Sequence, residues 1–224
     1  MNPALAIISV GAMENSEFNA LLADYISAPL MTHTSLTEKQ TKQEFIGNYG
    51  LRPGDRPYLA QWDDGTLLEL SYTRVEQALQ SVVQTLDQQG AAAIVVLAVG
   101  EFSSLHAGHA TLLVADRIIP PLIAPVVGDH RAGILFPHSE FMPDRQQKWQ
   151  CLKIPPLYAS AAPLDDNATL IAAGDALRQR GAEVLVLDGP EYAKRHRDML
   201  HQTLEMPVIM SHILLARLAS DLVA

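Results

Sequence analysis

Apolar residues in this chain alternate between short unbroken runs and longer stretches in which they recur every third or fourth position. Ala4–Val10, closed by Gly11, is a continuous aliphatic run and predicts a buried parallel strand. Glu14–Ile26 follows with Phe18, Leu21, Leu22, Tyr25 and Ile26 at helical spacing. Leu30–Ser35 reads as a weaker strand. Thr37–Tyr49 reads as a helix capped by Thr37 and stopped by Gly50. Tyr58–Trp62 and Thr66–Leu70, joined around Asp63-Asp64-Gly65, carry the turn chemistry of an antiparallel hairpin. A long helix then runs from Ser71 or Tyr72 to Gln89, with Val75, Leu79, Val82, Val83 and Leu86 on one face, and Gly90 ends it.

The second half repeats the rhythm. Ala93–Val99 predicts a strand, and His106–Val127 a helix interrupted at Pro120-Pro121 and Pro125. Arg131–Phe136, Lys153–Tyr158, Glu183–Asp188 and Met206–Met210 predict further strands. Helices are expected at Ser139–Gln150, Asp165–Arg180, Glu191–Leu204 and Ile213–Val223, the last capped by Ser211. Strands separated by helices imply an α/β fold with parallel sheets covered on both faces, and the number of units suits two smaller sheets better than one.

Composition narrows the function classes. A 224-residue chain that is 48% hydrophobic can bury a full core. Its net charge of -9 argues against nucleic acid or an anionic membrane as the main partner, since both require clustered Lys and Arg. A small ligand, or a second copy of the chain as a homodimer, is the expected partner. The single cysteine, Cys151, cannot form an internal disulfide and fits a reducing cytoplasm. The longest apolar runs are too short to span a bilayer, and the first lacks the basic flank of a signal peptide.

Two strand-to-helix turns draw attention as ligand sites, Gly100-Glu101-Phe102-Ser103-Ser104 and Asp188-Gly189-Pro190, because such turns stand at the carboxyl ends of parallel strands. His106-x-x-His109 has helical spacing for two imidazoles but no third ligand nearby, so no metal site and no cofactor are expected.

Several stretches together resemble the AroM family: Ala-Ile-Ile-Ser-Val-Gly (6–11), Gln147-Lys148-Trp149-Gln150, Val186-Leu187-Asp188, Arg195-His196-Arg197-Asp198, and the ending Pro207-Val208-Ile209-Met210-Ser211 with Leu215-Ala216-Arg217-Leu218-Ala219. That family is similar in turn to the aspartate/glutamate racemase superfamily. The resemblance implies two pseudo-symmetric, doubly wound lobes with a ligand cleft between them. Residues 1–116 and 208–224 would form one lobe and 117–207 the other.

In that superfamily each turn presents a cysteine, and the two thiols, or one of them, move a proton beside a carboxylate, a task suited to a thiol whose pKa is tuned toward neutrality. Neither aligned turn here holds a cysteine, and Cys151 lies outside both. Glu101, His138 or Asp188 would therefore replace the thiol. The groups expected to bind a small carboxylate metabolite are Gly11, Gly100, Phe102, Ser103, Ser104, Pro137, Gly189, His196, Ser211 and His212. Two readings stand side by side: an enzyme of racemase, isomerase or decarboxylase type, and a non-catalytic binding or regulatory protein that kept the pocket.

Overall fold

The computed structural model describes residues 4–11, 20, 22–24, 31–62, 64–163 and 166–223. The helix expected over Glu14–Ile26 and the hairpin residue Asp63 fall largely or wholly outside them. The described chain forms two compact units, one containing residues 4–11, 31–115 and 218–223 and the other residues 116–217.

The first unit holds a parallel four-stranded sheet in the order β2-β1-β5-β6, made of β1 (Leu5–Ser9), β2 (Met31–Ser35), β5 (Ala93–Leu97) and β6 (Thr111–Val114). Every residue of the central strands β1 and β5 is buried, as unbroken aliphatic runs require when both faces of a sheet are covered. Helix α1 (Lys42–Tyr49) begins later than expected, because Leu36–Lys39 turn and Thr41 closes a capping box with Glu44. The antiparallel hairpin β3 (Pro57–Gln61) and β4 (Leu67–Ser71) leads directly into α2 (Tyr72–Gln88), which buries Val75, Leu79, Val83 and Leu86.

The connection from β5 to β6 departs from the sequence pattern. No helix starts at His106; the segment after Gly100 lies along α2 and borrows its hydrogen bonds from that helix. Tyr72 Oη accepts from Phe102 N at 2.8 Å, and Glu76 Oε1 from Ser104 N at 3.0 Å. Gln80 both accepts from His106 N and donates to its carbonyl. Positions 72, 76 and 80 share one face of the helix. At the far end Asp87 accepts from the amides of Gly108, His109 and Ala110. The expected long helix resolves into β6 and α3 (Ala115–Val127), which abut without a turn residue between them, so their apolar pattern reads as one element. Helix α3 runs on through its three prolines, its buried Ile119, Ile123 and Val127 offsetting the missing amide donors.

The second unit has a parallel sheet in the order β10-β9-β7-β8, from β7 (Ala132–Phe136), β8 (Leu157–Ser160), β9 (Val184–Leu187) and β10 (Val208–Met210). Between strands lie α4 (Met142–Lys148) with a 3-10 turn on each side, α5 (Asn167–Gln179) and α6 (Lys194–Leu204); α7 (Ser211–Asp221) follows β10 without a loop. Ser211 is therefore the first helical residue rather than the cap. Because β10 pairs with β9, residues 208–217 lie in the second unit, and of the 208–224 segment expected in the first lobe only 218–223 are placed there.

Counted in chain order within each sheet, the strands of both units follow one order, 2-1-3-4. Among the described residues no helix is long and apolar enough to cross a membrane.

Candidate functional site

In a doubly wound sheet the strand order reverses between the first and third strands, and the crevice beyond their carboxyl ends is where ligands bind. That point lies between β1 and β5 in the first unit and between β7 and β9 in the second. The second brings together Phe136-Pro137-His138 after β7 and Asp188-Gly189 after β9, with Ser211 at the end of β10.

Asp188 is fully buried. Its Oδ2 accepts from Arg145 Nη1 at 3.0 Å and Trp149 Nε1 at 2.9 Å, and its Oδ1 from Lys148 Nζ at 2.7 Å and Ser211 Oγ at 3.4 Å. The Lys148 ammonium also reaches Asp116 Oδ1 at 2.7 Å, so two buried cations face two carboxylates. Burial alone would push the Asp188 carboxyl up. Arg145 and Lys148 outweigh it and hold the group well below the usual carboxylate range. The expectation that Asp188 moves a proton is corrected: an ionised carboxylate already accepting from four donors has no proton to give and little capacity to take one. It is the anchor on which α4 and the start of α7 are hung. Three of the stretches that carried the family resemblance, around Lys148-Trp149, Asp188 and Ser211, meet at this one carboxylate.

The acid that stands at this switch point is Glu191. Its Oε2 lies where a Cβ on Gly189 would come within 2.5 Å, and the same Cβ would meet Pro137 Cγ at 3.0 Å, so only glycine lets carboxylate, proline and turn pack together. Glu191 is exposed. The protein crowded around it nevertheless raises its carboxyl above the ordinary glutamate value, while Arg145 and His138 pull it back. His138 is half-buried after β7, with its ring 6.2 Å from that of Phe141. His138, Pro137 and Gly189 are thus brought to one place, beside an acid that sequence reasoning passed over.

The two remaining candidate histidines, His196 and His212, are interior groups. His212 is buried, and Ser211 Oγ stands 2.8 Å from its Nδ1. Burial, reinforced by Lys148, lowers its pKa to about 3, so the ring is neutral at ordinary pH. With the Ser211 proton directed to Asp188, Nδ1–H donates to Ser211 Oγ. His196 is also buried; its Nδ1 accepts from Ala193 N at 3.0 Å and closes the start of α6.

In the first unit, Gly11 ends β1 with its carbonyl accepting from Ser9 Oγ and Ser35 Oγ, and a Cβ there would meet Gln61 O at 2.4 Å. Strand β3 of the hairpin therefore crosses the carboxyl end of β1. Gly100, at φ +133, packs against Tyr72 and Phe102. Phe102 is fully buried and left-handed at φ 42, a conformation costing roughly 1–2 kcal/mol for a residue with a Cβ. Stacking on Tyr72, with centroids 4.9 Å apart and planes at 11°, helps hold it there. Ser103 and Ser104 are exposed in a turn, not at a helix start, and the Ser104 amide already serves Glu76. The expected anion cradle of helix amides is absent from this turn, because the segment is pinned to α2 instead of coiling. Glu101 is exposed.

Cys151 is exposed at the end of the 3-10 turn after α4, and partial loss of water around the thiol raises its pKa. Among the described residues no three His, Cys, Asp or Glu side chains are grouped to hold a metal ion. Sequence reasoning passed over Arg145, Lys148, Trp149, Asp116, Glu191 and Tyr72 as site-forming groups; only Lys148-Trp149 carried a signal, as part of a resembling stretch.

Solved structures share this fold. Unliganded arylmalonate decarboxylase matches with a TM-score of 0.65 at 14% identity, covering 99% of this chain and 93% of that one. The maleate isomerase Iso from Pseudomonas putida S16 matches with a TM-score of 0.62 at 12% identity, covering 97% and 93%. Picrophilus torridus aspartate racemase matches with a TM-score of 0.53 at 11% identity, covering 96% and 93%. No curated protein sequence matches the chain. Its sequence does match the profile described as AroM protein over residues 5–223, and the chain belongs to the AroM family.

Proposed function

We propose that this protein binds a small carboxylate-bearing molecule at the carboxyl ends of its second sheet and exchanges a proton with the carbon beside that carboxylate. The observation that carries this reading is the grouping of Glu191, His138 and Gly189 at a switch point, with the acid's pKa raised and its surface open to solvent. A carboxyl beside an imidazole can take and return a proton at a neighbouring carbon, as a thiol would, and the half-buried imidazole of His138 is the second acid–base group. Arylmalonate, maleate and aspartate, named for the structural neighbours, are all carboxylates, which supports the ligand class.

A non-catalytic reading draws on the first unit. There Glu101 is exposed, and the amides of Phe102 and Ser104 are already spent on Tyr72 and Glu76, so those two amides are not donors to an oxyanion. Incubation of chiral amino and hydroxy acids in deuterated water separates the two. Exchange of the α-hydrogen that disappears in Glu191→Gln and in His138→Asn supports catalysis. Saturable binding without exchange supports a binding protein, and exchange that survives both substitutions removes this assignment of the acid and base.

A further inference from the structure

We propose that Tyr72 is a ligand-contacting residue, donating its phenolic hydrogen to a carbonyl or carboxylate oxygen of a small acid bound at the switch point of the first sheet. The proposal stands on the first unit alone and shares only its ligand class with the function proposed above.

Tyr72 opens α2, yet its ring reaches the carboxyl end of β5: a Cβ on Gly100 would lie 3.1 Å from its Cε2 and 3.3 Å from its hydroxyl oxygen. The phenol therefore stands beside one of the two strands that flank the switch point.

Phe102 stacks on the Tyr72 ring at 4.9 Å, the Arg56 guanidinium lies over it at 4.3 Å, and Tyr58 meets it edge-on at 6.2 Å. The oxygen accepts Phe102 N–H at 2.8 Å. This occupies an acceptor site of the hydroxyl and leaves its hydrogen to be donated elsewhere. Among the described residues no group accepts it, and the side chain is only half-buried. The left-handed Phe102 is a local strain that serves this arrangement, since it delivers both the stacked ring and the amide to Tyr72.

The chemistry follows from the surroundings. Burial, with Glu76 and Glu101 adding negative charge, raises the phenol's pKa above its ordinary value against the pull of Arg56, so the group stays protonated. It acts as a neutral hydrogen-bond donor rather than as a charged clamp, and the ligand atom opposite it is an oxygen acceptor.

Calorimetric titration of the full chain with malonate and with pyruvate tests this. Tyr72→Phe should weaken binding of the probe that binds the wild type by about tenfold, the value of one well-formed hydrogen bond. Because that substitution also strips the Phe102 amide of its acceptor, 3-fluorotyrosine at position 72 supplies a second readout. It keeps the hydroxyl, makes it the stronger donor, and should tighten binding, which a purely structural tyrosine would not do. Affinity within twofold of wild type in both proteins overturns the assignment and leaves the proposed function standing. Failure of the wild type to bind either acid overturns both.

Discussion

Lys148 Nζ stands 2.7 Å from Asp188 Oδ1 with both side chains out of solvent. The same ammonium sits 2.7 Å from Asp116, so one lysine ties the start of α3 to the end of β9. Separating buried partners of this kind is costly, because the cation left behind has lost both its water and its counter-charge. Asp188→Asn should destabilise the protein by about 3–5 kcal/mol in urea unfolding. A loss under about 1 kcal/mol would show that the network does not hold the second unit together.

The buried histidine gives the protein a pH signature. His212 is neutral in the folded state down to about pH 3 but takes a proton near 6.5 once unfolded. Between those values the unfolded chain binds the extra proton, so stability falls as pH falls from about 6.5 toward 3. Asp188, with its depressed pKa, acts in the same direction at the acid end of that window. Thermal melts of the wild type and His212→Asn should converge as pH is lowered through this range. Parallel pH curves would show that the ring is not held neutral.

Gly189 is a position where an added side chain must displace its neighbours. An added methyl meets Glu191 Oε2 at 2.5 Å and Pro137 Cγ at 3.0 Å, and the carboxylate is the group free to swing away. Gly189→Ala should leave unfolding within about 2 kcal/mol of wild type while reducing α-hydrogen exchange at least as much as Glu191→Gln does. A Gly189→Ala protein with undiminished exchange would mean the Glu191 position is not used.

The strap after Gly100 depends on side chains of α2. Asp87 accepts from three successive amides, and hydrogen bonding to the Ala110 amide contributes most to the lowering of its pKa. In Asp87→Ala the amides of Gly108, His109 and Ala110 should exchange with deuterium on the order of tenfold faster while those of β5 stay protected. Unchanged exchange at all three would indicate that β6 pairing alone orders the segment.

The order of strands and helices was legible in the chain because burial writes itself locally. Ala93–Leu97 and Val184–Leu187 are apolar without interruption since both faces of their strands are covered, and α2 shows its buried stripe as Val75, Leu79, Val83 and Leu86. The AroM membership was legible too, carried by short stretches whose spacing survives along the chain. Strand pairing was not, because β10 finds β9 through a register no local pattern records, and this moves 208–217 into the second unit. The loop at 101–110 looked helical in its later part because sequence shows no trace of Gln80 or Asp87 reaching across from α2. The surroundings of the carboxyl groups were hidden for the same reason. Glu101 and Glu191 are the same residue type after comparable strands, and Asp188 looks no less available than either. Only the folded protein puts Arg145, Lys148 and Trp149 around Asp188, leaves Glu101 exposed, and brings Glu191 and Pro137 to Gly189. A carboxyl's pKa is set by the charges and dielectric within a few ångströms of it, and those neighbours come from distant parts of the chain.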